Sequence, residues 1–163
     1  MLGIPAILML LLDCGLRIAE LASLKLGDVD TDTGTIVVQR GKGGKGRMMH
    51  IGDKAQKALW RYLCLYRNGD SDGLFVGQDG KPLERAGLQT MIERLGRKSG
   101  VKVHAHKLRH TFAISYLRNG GDIFSLKYLL GHNSLTMVEH YLQSLNAEDA
   151  AKAHKRFSPV DNL

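Results

Sequence analysis

The residues best suited to chemistry fall in one stretch of the chain, from His104 to Tyr141. His104, His106, Arg109 and His110 crowd together, Gly131 and His132 follow, and Tyr141 stands a short way on. Imidazoles donate hydrogen bonds to phosphate oxygens, and a guanidinium does so through a planar fork. Basic groups ahead of a hydroxyl are what a tyrosine attacking phosphorus would need. A metal site fits less well. His104 and His106 alternate, but no Asp, Glu or Cys nearby completes a ligand set. The expectation is therefore no metal and no cofactor.

The whole composition is compatible with such a partner. Lys and Arg total 23 against 16 Asp and Glu, giving a net charge of +7. The pI near 9.5 favours a polyanion, most often nucleic acid. With 163 residues and 44% apolar residues, the chain has enough material for a single packed domain. Cys14 and Cys64 lack metal-ligand spacing and read as two buried thiols in a reducing compartment, which points to the cytoplasm. Leu2 to Leu12 is apolar, but no basic segment precedes it and it is too short to span a bilayer. It reads as a core helix with no capping residue, as though a preceding domain were missing.

The elements that must position the chemical residues are mostly helical. Gly15 breaks the first helix, and Ile18, Leu21, Ala22 and Leu24 mark a second running to about Lys25. Arg17 opens that second helix with Glu20 one turn on, and by itself this is an ordinary surface ion pair. Gly27 to Asp30 and Asp32 to Gly34 read as turns. Thr35 to Gln39 and Arg47 to Ile51 read as a β-hairpin around the tip Arg40-Gly41-Lys42-Gly43-Gly44-Lys45-Gly46. That tip is no nucleotide-binding loop, because it lacks the Ser/Thr and leads into a strand. A helix from Asp53, its cap, to about Arg67 carries Tyr62 and Tyr66 on its inner face. Leu74 to Val76 is a short extended piece. Another helix runs from Glu84 to Lys98, with Arg94, Arg97 and Lys98 facing DNA or water. The last third holds a helix ending at Asn119-Gly120-Gly121, a helix capped by Asp122, a helix capped by Ser134, and a final one from Asn146 to Arg156. The fold class is mainly α with a small antiparallel β-sheet (α+β).

Taken in order, Gly15-Leu16-Arg17-Ile18-Ala19-Glu20-Leu21, Gly41-Lys42-Gly43-Gly44-Lys45, His106 to Ala113, Leu130-Gly131-His132 and Tyr141 resemble the successive boxes of the tyrosine recombinase (phage integrase) family. The resemblance implies the catalytic domain of a site-specific DNA recombinase, as carried by mobile elements. It assigns Arg17 and Arg109 to the scissile phosphate, with His106 and His132 as further donors. Lys42, or Lys45 in its place, becomes the acid for the leaving 5′-oxygen. Tyr141 becomes the nucleophile that forms a covalent 3′-phosphotyrosyl link without ATP or metal. Tyr116 and Tyr128 do not stand at the family's distance after Gly-His. His110 reads as a packing or supporting residue.

The same resemblance implies double-stranded DNA as partner, a tetramer on DNA, a monomer without it, and no membrane association. Residues 1–145 would form the catalytic core, and 146–163 a tail that docks on its own domain or on a neighbouring protomer. The family's helical DNA-clamping domain ahead of the core is expected to be absent. His50 stands where the family usually has a proline, at the exit of the second hairpin strand. Two other readings share the residues. One is a non-catalytic DNA-binding module using Arg94, Arg97, Lys98 and Lys107 on phosphates. The other is relaxation of DNA in the manner of a type IB topoisomerase.

Overall fold

The computed structural model describes residues 3–39, 46–131, 141, 143 and 145–156. Lys42, Lys45, His132 and Ser134 therefore lie outside the described residues. Among those described, the order is α1 (Ile4–Cys14), α2 (Ile18–Ser23), a 3-10 turn (Leu26–Asp28), β1 (Val29–Asp30), β2 (Thr35–Val38), β3 (Arg47–His50), α3 (Asp53–Leu65), α4 (Arg85–Lys98), α5 (Ala105–Arg118), α6 (Ile123–Leu130) and α7 (Ala147–Arg156). The mainly α architecture with a small antiparallel sheet is as expected.

α1 packs against both α3 and α5, while its Met9 and Leu12 remain exposed. Its Ala6, Ile7, Leu10 and Leu11 join Leu16, Leu21, Ile36, Leu59, Leu74, Leu88 and Ile92 in the main core. A second cluster holds Phe112, Ala113, Leu126, Leu130 and Tyr141. α2 packs on α4, and the sheet leans on the end of α6 through β3. No described helix is long and apolar enough to cross a membrane.

The sheet has the order β1-β2-β3, all antiparallel. Val29 and Asp30, read from sequence as a turn, pair with Ile36 and Thr35 instead. A strand of two residues leaves no periodicity to read. On β3 the burial alternates. Arg47 and Met49 point inward, opposite Val38 and Ile36, while Met48 and His50 point out. His50 sits in this exposed register beside Thr35, its Nδ1 3.3 Å from the hydroxyl.

Two further expectations are corrected. The cap of α3 is Gly52, not Asp53, which is the first helical residue. Gly52 is held from outside by its N–H donating to the Asp13 carboxylate at 2.7 Å. Cys14 is buried as expected, but Cys64 is exposed. It lies out of phase with Ala55, Leu59 and Tyr62, the inner face of α3. Asp122 does cap α6, accepting from Phe124 and Ser125 N–H at 2.9 Å. α7 begins where Asn146 and Asp149 exchange side chain to backbone hydrogen bonds. None of its residues is buried. It is tied to α5 by the Arg118–Asp149 ion pair and by Arg156 donating to the Asn119 carbonyl.

Candidate functional site

The site is built where four chain segments meet: the α1–α2 corner, the start of β3, α5, and the end of α6. Each supplies something the others need. At the corner, α1 ends on Gly15 in the left-handed conformation, φ +58°. A side chain there would be strained, and its Cβ would fall 2.2 Å from the Phe112 ring. The tight corner turns the Gly15 carbonyl toward α5, where it accepts from the Arg109 guanidinium. Arg109 also donates to the Leu130 carbonyl at 2.6 Å, and only 4% of the residue is exposed. Two carbonyls from distant segments thus fix its fork.

Arg17 is the N-cap residue of α2. Its backbone N–H donates to Glu20 at 2.8 Å and its guanidinium donates to the same carboxylate at 3.0 Å. The surface ion pair read from sequence is therefore present, but it belongs to a larger arrangement. Arg47 grips Glu20 from the other side with two parallel hydrogen bonds of 2.9 and 2.8 Å. Its Nε donates to the Leu129 carbonyl at 2.6 Å, and the residue is 7% exposed. Arg47 and Arg109 thereby occupy consecutive carbonyls at the C-terminal end of α6. Helix ends leave such carbonyls without intrahelical partners, and the dipole there favours cations.

α6 then stops on Gly131, again left-handed at φ +62°. A Cβ on Gly131 would lie 3.0 Å from one Arg47 nitrogen and 3.7 Å from an Arg17 nitrogen. The glycine before His132 is thus the floor on which the guanidinium groups rest.

The electrostatics follow. Burial alone would raise the Glu20 carboxyl, but the Arg47 and Arg17 hydrogen bonds and the Arg47 charge hold it at about 2. It stays ionised throughout the neutral range. Arg109 is pushed down to about 10, first by burial and then by the like charge of Arg17. Three guanidinium groups thus face one carboxylate, and the excess positive charge lies beside the side chain of Arg17, which is 45% exposed. Such a surface attracts an anion that supplies the missing negative charge.

Tyr141 comes within electrostatic reach of Arg109. Its ring packs at 5.2 Å from that of His110, the histidine read from sequence as a packing or supporting residue. Only 6% of Tyr141 is exposed, so it is seated in the second cluster rather than opened to a groove. His106 lies on the exposed side of α5, one turn before Arg109. His104, set aside on sequence, has a local task as the N-cap of α5, its Nδ1 accepting from Lys107 N–H at 3.3 Å. Of the expected residues, Arg17, Arg109 and Tyr141 are thus brought together, and His106 stands near on the same helix as Arg109. Lys42 and His132 lie outside the described residues.

Sequence reasoning missed Arg47. The signal was available, because an arginine in phase with Met49 on a half-buried strand has to point inward. Charged residues are almost never buried unless paired, and Glu20 is the partner that makes it tolerable.

The sequence and the fold both have counterparts among known proteins. The chain is 36% identical over 160 residues to tyrosine recombinase XerA of Thermococcus kodakarensis, covering 96% of this chain and 56% of the relative. A crystal structure of XerA recombinase superposes with a TM-score of 0.84 at 38% identity, covering 97% of this chain and 59% of that one. A structure of the XerH site-specific recombinase bound to a palindromic difH substrate gives a TM-score of 0.71 at 25% identity, covering 96% and 45%. The chain thus spans about half the length of the curated relatives it matches. The Phage integrase family model matches residues 4–148, and the chain belongs to the phage integrase, or tyrosine recombinase, family.

Proposed function

We propose that this chain is the catalytic domain of a site-specific DNA recombinase, breaking and rejoining DNA strands through a covalent 3′-phosphotyrosyl intermediate. The observation that carries the reading is the arginine cluster. Arg17 and Arg109 are far apart in sequence, yet both converge on the end of α6, where Tyr141 comes within electrostatic reach of Arg109. A non-catalytic DNA-binding module has no need to bury Arg109 or to set a tyrosine beside it.

In the proposed reaction the Tyr141 hydroxyl passes its proton to His106 as its oxygen attacks phosphorus, and the P–O5′ bond breaks. Arg17 and Arg109 neutralise the charge that gathers on the non-bridging oxygens, in a site preorganised by backbone carbonyls. His106 and His132 donate further hydrogen bonds. Lys42, in the segment that joins β2 to β3 in sequence, gives its proton to the leaving 5′-oxygen. General-acid help of this kind is worth about 10²–10⁴-fold. Rejoining reverses each step, with a 5′-hydroxyl attacking the phosphotyrosine. The bond energy is kept in the ester, so no nucleotide is consumed. The partners are duplex DNA and other copies of the chain, in a tetramer on DNA and a monomer without it. The similar XerH site-specific recombinase, bound to a palindromic difH substrate, supports a recombination site as substrate. The compartment is the cytoplasm.

The burial of Tyr141 implies that DNA binding must draw it outward. A nicked suicide duplex, obtained by binding selection from a random pool, tests the reading. The wild type should form a denaturation-resistant DNA adduct, and Tyr141→Phe should form none while keeping its ring in the core. Absence of an adduct under forcing conditions would leave a binding module. Plasmid relaxation at no defined site would point to topoisomerase-like chemistry.

A further inference from the structure

Arg47 stands outside the family boxes that the sequence displays, yet it makes the most elaborate set of contacts near the site. It lies at the first position of β3 and is nearly inaccessible. One guanidinium joins the α2 carboxylate of Glu20 to the Leu129 carbonyl of α6. Arg17 holds the same carboxylate with one guanidinium bond and its backbone N–H. Glu20 is therefore aimed by Arg47, and Arg17 is aimed by Glu20. A Cβ on Gly131 would meet both guanidinium groups, so the α6 end is packed against the pair as well.

We propose that Arg47 is a positioning residue of the strand-transfer site, which sets the Arg17 guanidinium through Glu20 and locks both to the end of α6. This rests on the recombinase reading for its consequence in catalysis, but not for the positioning itself. Arg47 does not touch the phosphate. It removes freedom from Arg17, a long side chain that would otherwise sample many rotamers in water. It also keeps β3, α2 and α6 in one register, so that groups carried by the three move together. Lysine cannot replace it fully, because a single ammonium cannot make two parallel bonds to a carboxylate and a third to a carbonyl in another direction.

The test uses the 163-residue chain with Arg47→Met, Arg47→Lys and Glu20→Gln. The first readout is the Arg17 Nε–H signal in nitrogen-edited NMR, with backbone spectra confirming a folded chain. The wild type should show a restricted Arg17 guanidinium, Arg47→Met and Glu20→Gln an averaged one, and Arg47→Lys an intermediate one. The second readout is adduct formation on the selected nicked duplex. The single-turnover rate should fall by about 100-fold in Arg47→Met, as for a misplaced catalytic group, with DNA affinity within twofold of wild type. Arg47→Lys should recover part of that rate. A folded Arg47→Met with an Arg17 signal like the wild type overturns the proposal. So does a loss confined to affinity. Where Arg47→Met does not fold, Arg47→Lys decides: an unchanged Arg17 signal and rate overturn the proposal. If the wild type itself forms no adduct, the recombinase reading falls, and the NMR arm still decides whether Arg47 orders Arg17.

Discussion

Glu20 carries more of the site than its place in an exposed helix turn suggests. Its carboxyl is held at about 2 against an ordinary value of 4.5. A lowered carboxylate stabilises the fold above its unfolded value, and the contribution fades as pH falls through the folded value. In Glu20→Gln that contribution is missing at every pH, and Arg47 is left buried without its charge partner. The variant should be about 3 kcal/mol less stable at pH 7. The gap to wild type should stay constant above pH 4.5 and narrow between 4.5 and about 2. Denaturant melts of both proteins across that range check it. A gap that is flat down to pH 2 would mean that the carboxylate is not held as described. The residue scale is also where sequence reading did least. Arg17 and Glu20 were legible only as a pair, because a second arginine from a distant strand leaves no mark at helical spacing. Tyr141 was singled out as a candidate without its burial being legible, since the side chains that cover it come from α5 and α6.

Elements were far more legible. α1, α2, the hairpin strands, α4, α5 and α6 follow from apolar spacing and from glycine or aspartate at their ends, because each carries its own start or stop signal. The misreadings came where a signal belongs to another segment: β1 exists only by pairing with β2, and Gly52 caps α3 with the help of Asp13. The α1–α2 corner shows how much one stop signal can decide. Gly15→Ala would strain a left-handed backbone, costing about 1–2 kcal/mol, and drive a methyl into the Phe112 ring. The corner would have to open, and its carbonyl would leave Arg109. The expected result is a destabilisation above about 2 kcal/mol together with loss of adduct formation at temperatures where the chain remains folded. Calorimetry and the nicked-duplex assay measure the two effects separately.

At the scale of the whole molecule, Leu129 packs against both the main core and the Phe112–Tyr141 cluster, and its carbonyl accepts from Arg47. The convergence of Arg17 with Arg109 is a property of this packing and of no local segment, which is why sequence alone offered it only through resemblance. α7 is the opposite case. It buries nothing and is held by polar ties at the end of α5. Ending the chain after Leu145 should therefore move the melting midpoint by no more than about 2–4 °C, the equivalent of 1 kcal/mol for a chain this size. A larger loss would mean that the tail is part of the domain's own core. If the tail docks on a neighbouring copy, the truncated chain should keep its single-copy adduct rate while assembly on paired DNA sites weakens, as sedimentation would show.

The two thiols have a practical consequence. Cys14 is buried, and burial, with the Asp13 charge, pushes it up to about 12, which leaves it almost wholly as unreactive thiol near neutrality. Cys64 is exposed on α3, off the face that carries Ala55, Leu59 and Tyr62. A maleimide dye added to the native chain would accordingly attach at one place, on the helix that flanks α1. The unaltered protein thus carries its own handle for counting copies on a single DNA molecule by stepwise photobleaching.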